Sequence, residues 1–302
     1  MGIETIKYSV VDAFTESAFK GNPAVVVLLE EDNKKDDKWF QTVAMEFNMP
    51  VTCYLTRHKN NTHHGPYKNH NISINPMFSL RWFSPTVEVN LCGHGTLAAA
   101  HSLFESGLID SNIIEFVTAS GVLTAKRVSK NGEGAQKSFY IELNVPTVPI
   151  TSEFDSVELS MISKALGTTG ASIIDNKRTA ADDHLVVLPS AKSVVDLQPD
   201  FDAVQKCPGR GIIVTGIAPP DSGLDFYSRF LYPKLGVNED AVCGSAHCPL
   251  AQYWCKQLGK CDLHACAASR RGGVINIHLE EQNQRVLLLG KAFTVMKGAL
   301  LV

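Results

Sequence analysis

The 302-residue sequence lacks a long apolar run, since no stretch approaches the roughly 18 apolar residues that a membrane-spanning helix needs. It also lacks an excess of either charge, because 28 Lys and Arg residues oppose 31 Asp and Glu residues, for a formal net charge of −3. A protein that binds nucleic acid or an anionic membrane surface usually carries a basic patch and a positive balance. We therefore expect neither a nucleic-acid partner nor a membrane partner.

A secretory signal is also missing, because Met1-Gly2-Ile3-Glu4 leads directly into a strand-like run without a basic or an apolar segment. We therefore expect a cytoplasmic protein. In that compartment the eight cysteines of the chain are typical of reduced thiols rather than of a disulfide framework.

Histidines are concentrated in one polar segment, His58 to Asn75, at positions 58, 63, 64 and 70. No acid or cysteine accompanies them at the spacing of metal ligands, so we predict no metal site there. We interpret this segment as a solvent-exposed loop, because long insertions without regular structure usually run over the surface.

Two short stretches of the chain resemble each other. They are Leu91-Cys92-Gly93-His94-Gly95-Thr96 and Val242-Cys243-Gly244-Ser245-Ala246-His247, and their cysteines lie 151 residues apart, half the length of the chain. An arginine, an aromatic residue and a proline precede each stretch, in Arg81-Trp82-Phe83-Ser84-Pro85 and Arg229-Phe230-Leu231-Tyr232-Pro233. The spacing indicates a duplicated architecture, with a chance match of a short motif as the alternative.

A helix is predicted to begin at each stretch. The first N–H groups of a helix have no intrahelical partner and lie at the positive end of its dipole. Such a helix start binds a carboxylate or stabilises an enolate-like anion, and the glycines Gly93 and Gly244 allow the ligand to approach closely. The pattern therefore favours a small acidic substrate.

The rest of the chain alternates strands with these helices. Residues 97–104 are small or apolar on nearly every side of the first helix, which is typical of a buried helix. In the second helix we expect Pro249 within the first turn, where its missing N–H does no harm. We predict an α+β fold with an N-terminal half over residues 1–130, whose last strand comes from the C-terminus, and a C-terminal half over residues 131–302.

Glu46 is a candidate proton donor and acceptor. Apolar residues recur with helical period over residues 36–48, and Glu46 lies at the edge of their stripe. A half-desolvated carboxyl group at this edge favours its protonated form and suits acid–base catalysis. The competing interpretation is a solvated residue on the flank of the helix.

Cys92 and Cys243 form a second candidate pair. A helix start favours the thiolate, and two thiols across a cleft can act as the two bases of a racemase. The alternative is that both are small buried hydrophobic residues. Asp240, three residues before Cys243, can orient a substrate amine or a histidine, or it can simply stabilise a turn.

Several motifs taken together resemble the PhzF family of phenazine-biosynthesis-like isomerases. They follow one another in the order found in that family: Asp12-Ala13-Phe14-Thr15, Phe19-Lys20-Gly21-Asn22-Pro23-Ala24, Arg81-Trp82-Phe83-Ser84-Pro85, Leu91-Cys92-Gly93-His94-Gly95-Thr96 and Glu239-Asp240-Ala241-Val242-Cys243-Gly244-Ser245-Ala246.

The resemblance implies the diaminopimelate-epimerase-like fold, with two similar halves that each wrap a sheet around a central helix, an active site between them and a homodimeric assembly. It also implies a proton shift in a small carboxylated substrate without any cofactor. By position it assigns the catalytic glutamate to Glu46. The substrate-positioning residues that it implies are His94, Asp240 and Ser245, with the glycines Gly93, Gly95 and Gly244.

One departure from the family pattern concerns Cys243. Many members have threonine there, whereas the epimerases of the same fold have cysteine at both equivalent positions. A racemase or epimerase that uses Cys92 and Cys243 is therefore the alternative function. A non-catalytic binding or scaffold protein that retains the old fold is a third.

Overall fold

A computed structural model of the protein describes residues 5–30, 35–57, 75–129 and 139–302. Apart from Asn75, the histidine-bearing loop from His58 to Asn75 lies outside the described residues. The expected boundary between residues 130 and 131 lies outside them as well. Within the described ranges, no helix is long and apolar enough to cross a membrane.

The strands, in chain order, are β1 (Thr5–Ala13), β2 (Asn22–Leu29), β3 (Thr52–Arg57), β4 (Met77–Phe83), β5 (Glu88–Val89), β6 (Ile113–Thr118), β7 (Gly121–Val128), β8 (Tyr140–Pro146), β9 (Asp175–Arg178), β10 (Asp183–Leu188), β11 (Gly211–Ile217), β12 (Phe226–Tyr232), β13 (Val237–Asp240), β14 (Asp262–Ala267), β15 (Gly273–Glu280), β16 (Arg285–Gly290) and β17 (Ala292–Leu301). The α-helices are α1 (Asp37–Phe47), α2 (Gly93–Ser106), α3 (Ser156–Ala165), α4 (Ala191–Val195), α5 (Phe201–Lys206) and α6 (Gly244–Leu258).

The chain forms two compact units. Unit 1 comprises the described residues of Met1–Ala13, Pro23–Asn144 and Lys291–Val302, and unit 2 comprises Phe14–Asn22 and Val145–Gly290. The C-terminal strand β17 belongs to unit 1, where it pairs antiparallel with β1 from Thr5↔Leu301 to Ala13↔Ala292.

Unit 1 is built around α2, which contacts β1, β3, β7 and β17. Residues Leu97, Ala98, Ala99 and Ala100 are each fully buried. Successive helical residues point in different directions, so four buried neighbours require protein on every side of the helix. Helix α1 covers other strands of the unit, with Phe40 and Ala44 buried in an apolar cluster.

Unit 2 has α6 at the corresponding place, in contact with β14, β15 and β16. Trp254 on this helix stacks on Phe226 of β12 with a 5.4 Å centroid distance, and its indole N–H donates to Thr215 Oγ1 on β11 at 3.0 Å. Helices α3, α4 and α5 contribute Ile162, Val194 and Val204 to a further apolar cluster of the unit.

The two units share one strand order. Each has a parallel pair, β2–β3 or β10–β11, followed by an antiparallel strand, β4 or β12. That strand pairs with a short strand, β5 or β13, and also in parallel with the strand after the central helix, β6 or β14. The α+β class, with two similar halves each formed around a central helix, is therefore confirmed.

Pro249 does not lie in the first turn of α6, contrary to the expectation from the sequence. The helix begins at Gly244 and continues through Pro249 to Leu258. Because proline has no N–H, the carbonyl of Ser245, four residues earlier, has no helical donor. The apolar packing of residues such as Leu250 and Trp254 offsets the loss of this hydrogen bond.

Candidate active site

The start of α2 is formed by the first cysteine stretch. Cys92 is the N-cap residue in an extended conformation, and its side chain makes no capping hydrogen bond. Its carbonyl accepts the N–H and the hydroxyl of Thr96, at 3.0 and 2.7 Å, which fixes the first turn. The N-cap side chain therefore provides no acceptor for the N–H groups of this turn, as an anion-binding helix start requires.

His94 lies in that first turn and is 6% exposed. Its Nδ1 is 3.4 Å from Cys92 Sγ. Burial lowers the pKa of the imidazole to about 3, so the ring is neutral at physiological pH. His94 can therefore contribute a hydrogen bond to a ligand but not a positive charge.

Gly95 permits close packing beneath this turn. A Cβ at this position would lie 2.9 Å from both Cys53 Sγ and Trp82 Cδ1, and 3.1 Å from Cys92 Sγ. These contacts are closer than side chains tolerate. The glycine therefore allows the helix start to pack tightly against strands β3 and β4.

The start of α6 repeats this arrangement with different chemistry. Cys243 is the N-cap residue, again without a side-chain capping hydrogen bond, and its Sγ lies 3.3 Å from Ser245 Oγ. Burial, together with the nearby Asp240 carboxyl group, raises the pKa of the Cys243 thiol well above its usual value. Cys243 is therefore a protonated thiol at neutral pH.

Asp240, at the end of β13, forms the acidic part of this group. Its Oδ1 accepts a hydrogen bond from the side-chain amide of Asn22 at 2.5 Å and from the backbone N–H of Val242 at 3.2 Å. Burial raises the pKa of the carboxyl group from 3.8 to about 6, although these hydrogen bonds and one from Cys243 oppose the shift. The carboxyl group of Asp240 therefore titrates close to neutral pH.

Asn22 was not assigned to the site from the sequence. Besides Asp240 it contacts the carbonyl of Val242, to which Nδ2 donates at 3.0 Å. Asn22 and Asp240 are 218 residues apart, so no local pattern signals the contact. The motif from Phe19 to Ala24, quoted above for the family resemblance, is the one signal that pointed to this segment.

His247, the last residue of the second cysteine stretch, is buried near the start of α6. Its Nδ1 lies 2.6 Å from the carbonyl of Cys243, so Nδ1 carries the proton and donates. Its Nε2 then accepts from the hydroxyl of Ser228 at 3.2 Å. Asp240, Cys243 and His247 line one small pocket within unit 2.

Glu46 lies on α1 one residue before its end, and its side chain is exposed. This corrects the half-desolvated position expected from the sequence. The reason is that α1 buries only Phe40 and Ala44, while Met45, next to Glu46, is 59% exposed. The side chain of Glu46 forms no hydrogen bond or ion pair within the part of the chain that the structure describes.

Arg271 donates from Nε to the carbonyl of Gly21 at 2.8 Å and from Nη2 to that of Lys20 at 3.2 Å. Arg271 thereby holds the Phe14–Asn22 segment of unit 2, in which Asn22 lies.

Among the described residues, no three His, Cys, Asp or Glu side chains are arranged to hold a metal ion.

The structure thus gathers the predicted residues into two groups. Cys92, Gly93, His94 and Gly95 lie at the start of α2 in unit 1, and Asp240, Cys243, Gly244 and Ser245 lie at the start of α6 in unit 2. Glu46 belongs to unit 1 but to a different helix.

Two similar halves, each built around a central helix that begins after a cysteine N-cap, define an epimerase-like fold class. The family model described as phenazine biosynthesis-like protein, PhzC-PhzF, matches residues 11–298, and the chain belongs to this family. An isomerase of Halalkalibacterium halodurans is 41% identical over 294 residues, covering 97% of each chain. The human phenazine biosynthesis-like domain-containing protein is 33% identical, covering 96% of this chain and 97% of the relative.

Solved structures of related proteins have the same fold as this chain. A PhzF-family protein of Enterococcus faecalis has a TM-score of 0.82 at 32% identity, covering 99% of this chain and 100% of its own. A hydroxyproline epimerase of Agrobacterium vitis, 11% identical with a TM-score of 0.62, covers 99% of this chain and 92% of its own and shares the fold. The family, the fold and the isomerase class predicted from the sequence are therefore confirmed.

Proposed function

We propose that the protein catalyses a proton shift within a small carboxylated metabolite, without a cofactor, and that Glu46 is the general acid and base. One observation carries the proposal. Two helices at equivalent places in the two units begin with a cysteine N-cap that makes no side-chain capping hydrogen bond. Each helix start thereby offers backbone N–H groups and the positive end of a dipole to an anion.

In this proposal the backbone around Gly93, Gly95 and Gly244 binds the substrate carboxylate or the negative charge that develops on it. Donors that are already in place stabilise such a charge without reorganisation, which is the main source of oxyanion stabilisation. Neutral His94 and the hydroxyl of Ser245 add hydrogen bonds, and Asp240 orients the polar group next to the reacting carbon.

Glu46 removes a proton from an activated carbon and returns it elsewhere on the same substrate. Exposure on α1 removes the half-desolvation expected from the sequence, but it leaves the carboxylate accessible to a substrate carbon, as a general base requires. The carboxylate also has no ion-pair partner among the described residues that would compete for it. General acid–base catalysis of this kind contributes about 10²- to 10⁴-fold in rate.

The test is the Glu46→Gln variant, assayed by NMR in deuterated water for loss of carbon-bound protons from a panel of small carboxylates. We expect turnover to fall by about 10²-fold or more, because the amide cannot accept a proton. Binding, measured by thermal shift with the same compounds, is expected to persist. Glu142→Gln, the same change on β8 of unit 1, serves as the control and should retain activity.

Full turnover in Glu46→Gln would overturn the assignment. If Cys243→Ser then abolishes exchange of the substrate α-proton, the two-cysteine racemase replaces the Glu46 isomerase as the proposed function. In that racemase the protonated Cys243 is the acid and Cys92 is the base. The raised pKa of Cys243 disfavours it as a base. If no compound binds, and Glu46 and Asp240 can be replaced without any cellular consequence, a binding or scaffold role stands instead.

We also propose that the protein is a homodimer, as the family resemblance implies, and that it is cytoplasmic, where its eight cysteines would stay reduced.

A further inference from the structure

Cys255 and Cys261 bring two thiols together at the C-terminal end of α6. Their sulfur atoms are 2.9 Å apart, whereas the bond length in a disulfide is about 2.0 Å. The other end of the same helix carries Cys243, twelve residues before Cys255, which places it about 18 Å away along the helix axis. This pair is therefore distinct from the candidate active site.

The backbone holds both cysteines in place. The carbonyl of Cys255 accepts the N–H of Gly259, which ends the helix in the left-handed conformation at a φ of 66°. The carbonyl of Cys261 accepts the N–H of Leu279 on β15 at 3.1 Å. These two hydrogen bonds therefore anchor the backbone at both cysteines, and the turn between them brings the two sulfurs to 2.9 Å.

The two thiols differ in accessibility. Cys261 is half-buried and Lys260 beside it is exposed, so Cys261 is the more accessible cysteine of the pair. Cys255 is only 7% exposed, and burial together with Cys261 and Glu281 raises its pKa to about 12. An accessible sulfur that reacts first, next to a shielded sulfur that reacts second, is the arrangement of an attacking and a resolving cysteine.

We propose that Cys255 and Cys261 form a reversible disulfide site that reacts with low-molecular-weight disulfides. The Cys261 thiolate attacks one sulfur of the small disulfide, giving a mixed disulfide and releasing one small thiol. Cys255, losing its proton to solvent, then attacks the sulfur of Cys261 and releases the second small thiol. The two protein thiols are oxidised to one disulfide, and the small disulfide is reduced to two thiols.

The experiment treats the purified full-length chain with oxidised glutathione, then blocks the remaining thiols by alkylation and maps the peptides by mass spectrometry. Trypsin cuts after Lys256 and Lys260, so only a disulfide joins the peptide that ends with Cys255-Lys256 to the peptide that begins with Cys261. We expect two of the eight thiols to be lost, with a linked peptide whose fragments place the bond between Cys255 and Cys261. Dithiothreitol should restore all eight.

Single cysteine-to-serine variants test whether the disulfide is specific to Cys255 and Cys261. Cys255→Ser should stop the reaction at a glutathione adduct on Cys261, and Cys261→Ser should abolish both the adduct and the link. Cys266→Ser, which removes a half-buried cysteine from the neighbouring strand β14, should leave the link intact. The proposal is overturned if the wild-type chain keeps all eight thiols, if the adduct on Cys261 persists without closing, or if the bond joins other cysteines.

Discussion

At the scale of single residues, the two helix starts differ by a few side chains that decide their chemistry. Asp240 pairs with Phe230 across β12 and β13, and Val89 pairs with Trp82 at the matching place in unit 1. The carboxyl group therefore occurs in one unit only. His94 in unit 1 corresponds to Ser245 in unit 2. The two helix starts therefore differ in the polar side chains beside them.

The raised pKa of Asp240 predicts a particular dependence of stability on pH. A carboxyl group whose pKa is raised by folding, here from 3.8 to about 6, binds its proton more tightly in the folded chain. Its contribution to the free energy of unfolding is therefore most favourable below about pH 4 and is lost as the pH rises through about 6. Asp240→Asn removes this contribution.

We therefore expect the Tm of the wild type, relative to that of Asp240→Asn, to decrease between about pH 4 and pH 7. Scanning calorimetry of both proteins at several pH values measures this difference. Asp221→Asn, the same change at an exposed aspartate of unit 2, is the matched control for the substitution itself. A difference for Asp240→Asn that stays constant between about pH 4 and pH 7 would contradict the assigned pKa.

At the scale of elements, α2 and α6 occupy the centres of their units because their side chains are small or flat. Four consecutive residues of α2, Leu97 to Ala100, fit among strands on every side. At the start of the helix, Gly95 has no side chain and so avoids a steric clash with the neighbouring strands. In α6 the large Trp254 is accommodated by stacking on Phe226. The helix starts are therefore held rigidly, as a preorganised anion site requires.

The packing around Gly95 predicts the effect of adding one methyl group. Gly95→Ala places its Cβ 2.9 Å from Cys53 Sγ and from Trp82 Cδ1, both of which are buried. We expect a loss of about 1–3 kcal/mol in the free energy of unfolding, because buried neighbours must move to make room. Urea denaturation measures the loss.

Gly170→Ala is the matched control, because no atom lies within 4 Å of the added Cβ. We expect a change of no more than about 0.5 kcal/mol for this surface position. Equal stability of the Gly95→Ala variant and the wild type would show that α2 can shift to accept the methyl group.

At the scale of the whole molecule, the duplicated architecture provides an internal comparison of ion pairs. Arg81 donates from Nε and Nη2 to Glu88, both at 2.7 Å. Arg229 makes the same two-point contact with Glu239 at 2.6 and 2.8 Å. The first pair is 35% and 37% exposed, and the second is 10% and 15% exposed. The same two-point ion pair is therefore solvent-exposed in unit 1 and nearly buried in unit 2.

We expect Arg229→Met to cost about 3–5 kcal/mol in the free energy of unfolding, because it leaves Glu239 buried without a partner. Arg81→Met should cost about 1 kcal/mol, since water screens and solvates Glu88. Equilibrium denaturation of the two variants tests the comparison, and similar losses in both would show that burial does not set the strength of these pairs.

Part of this architecture is readable from local sequence. The repeated cysteine stretches and the buried helix after Cys92 were predicted correctly, because hydrophobic period and turn residues act over a few positions. The short helices α4 and α5 and the strands β5, β9, β13 and β14 were not predicted. Elements of two to six residues carry too little periodic signal to be distinguished from loops.

The sequence by itself determined the family, the α+β class and the residues that begin the two central helices, since motifs and period are local properties of the chain. Only the tertiary structure decided that Asn22 contacts Asp240 across 218 residues and that Glu46 is exposed. These features depend on which surfaces the folded chain covers. Burial and long-range contact arise from the closure of the whole chain, and no short stretch of residues specifies them.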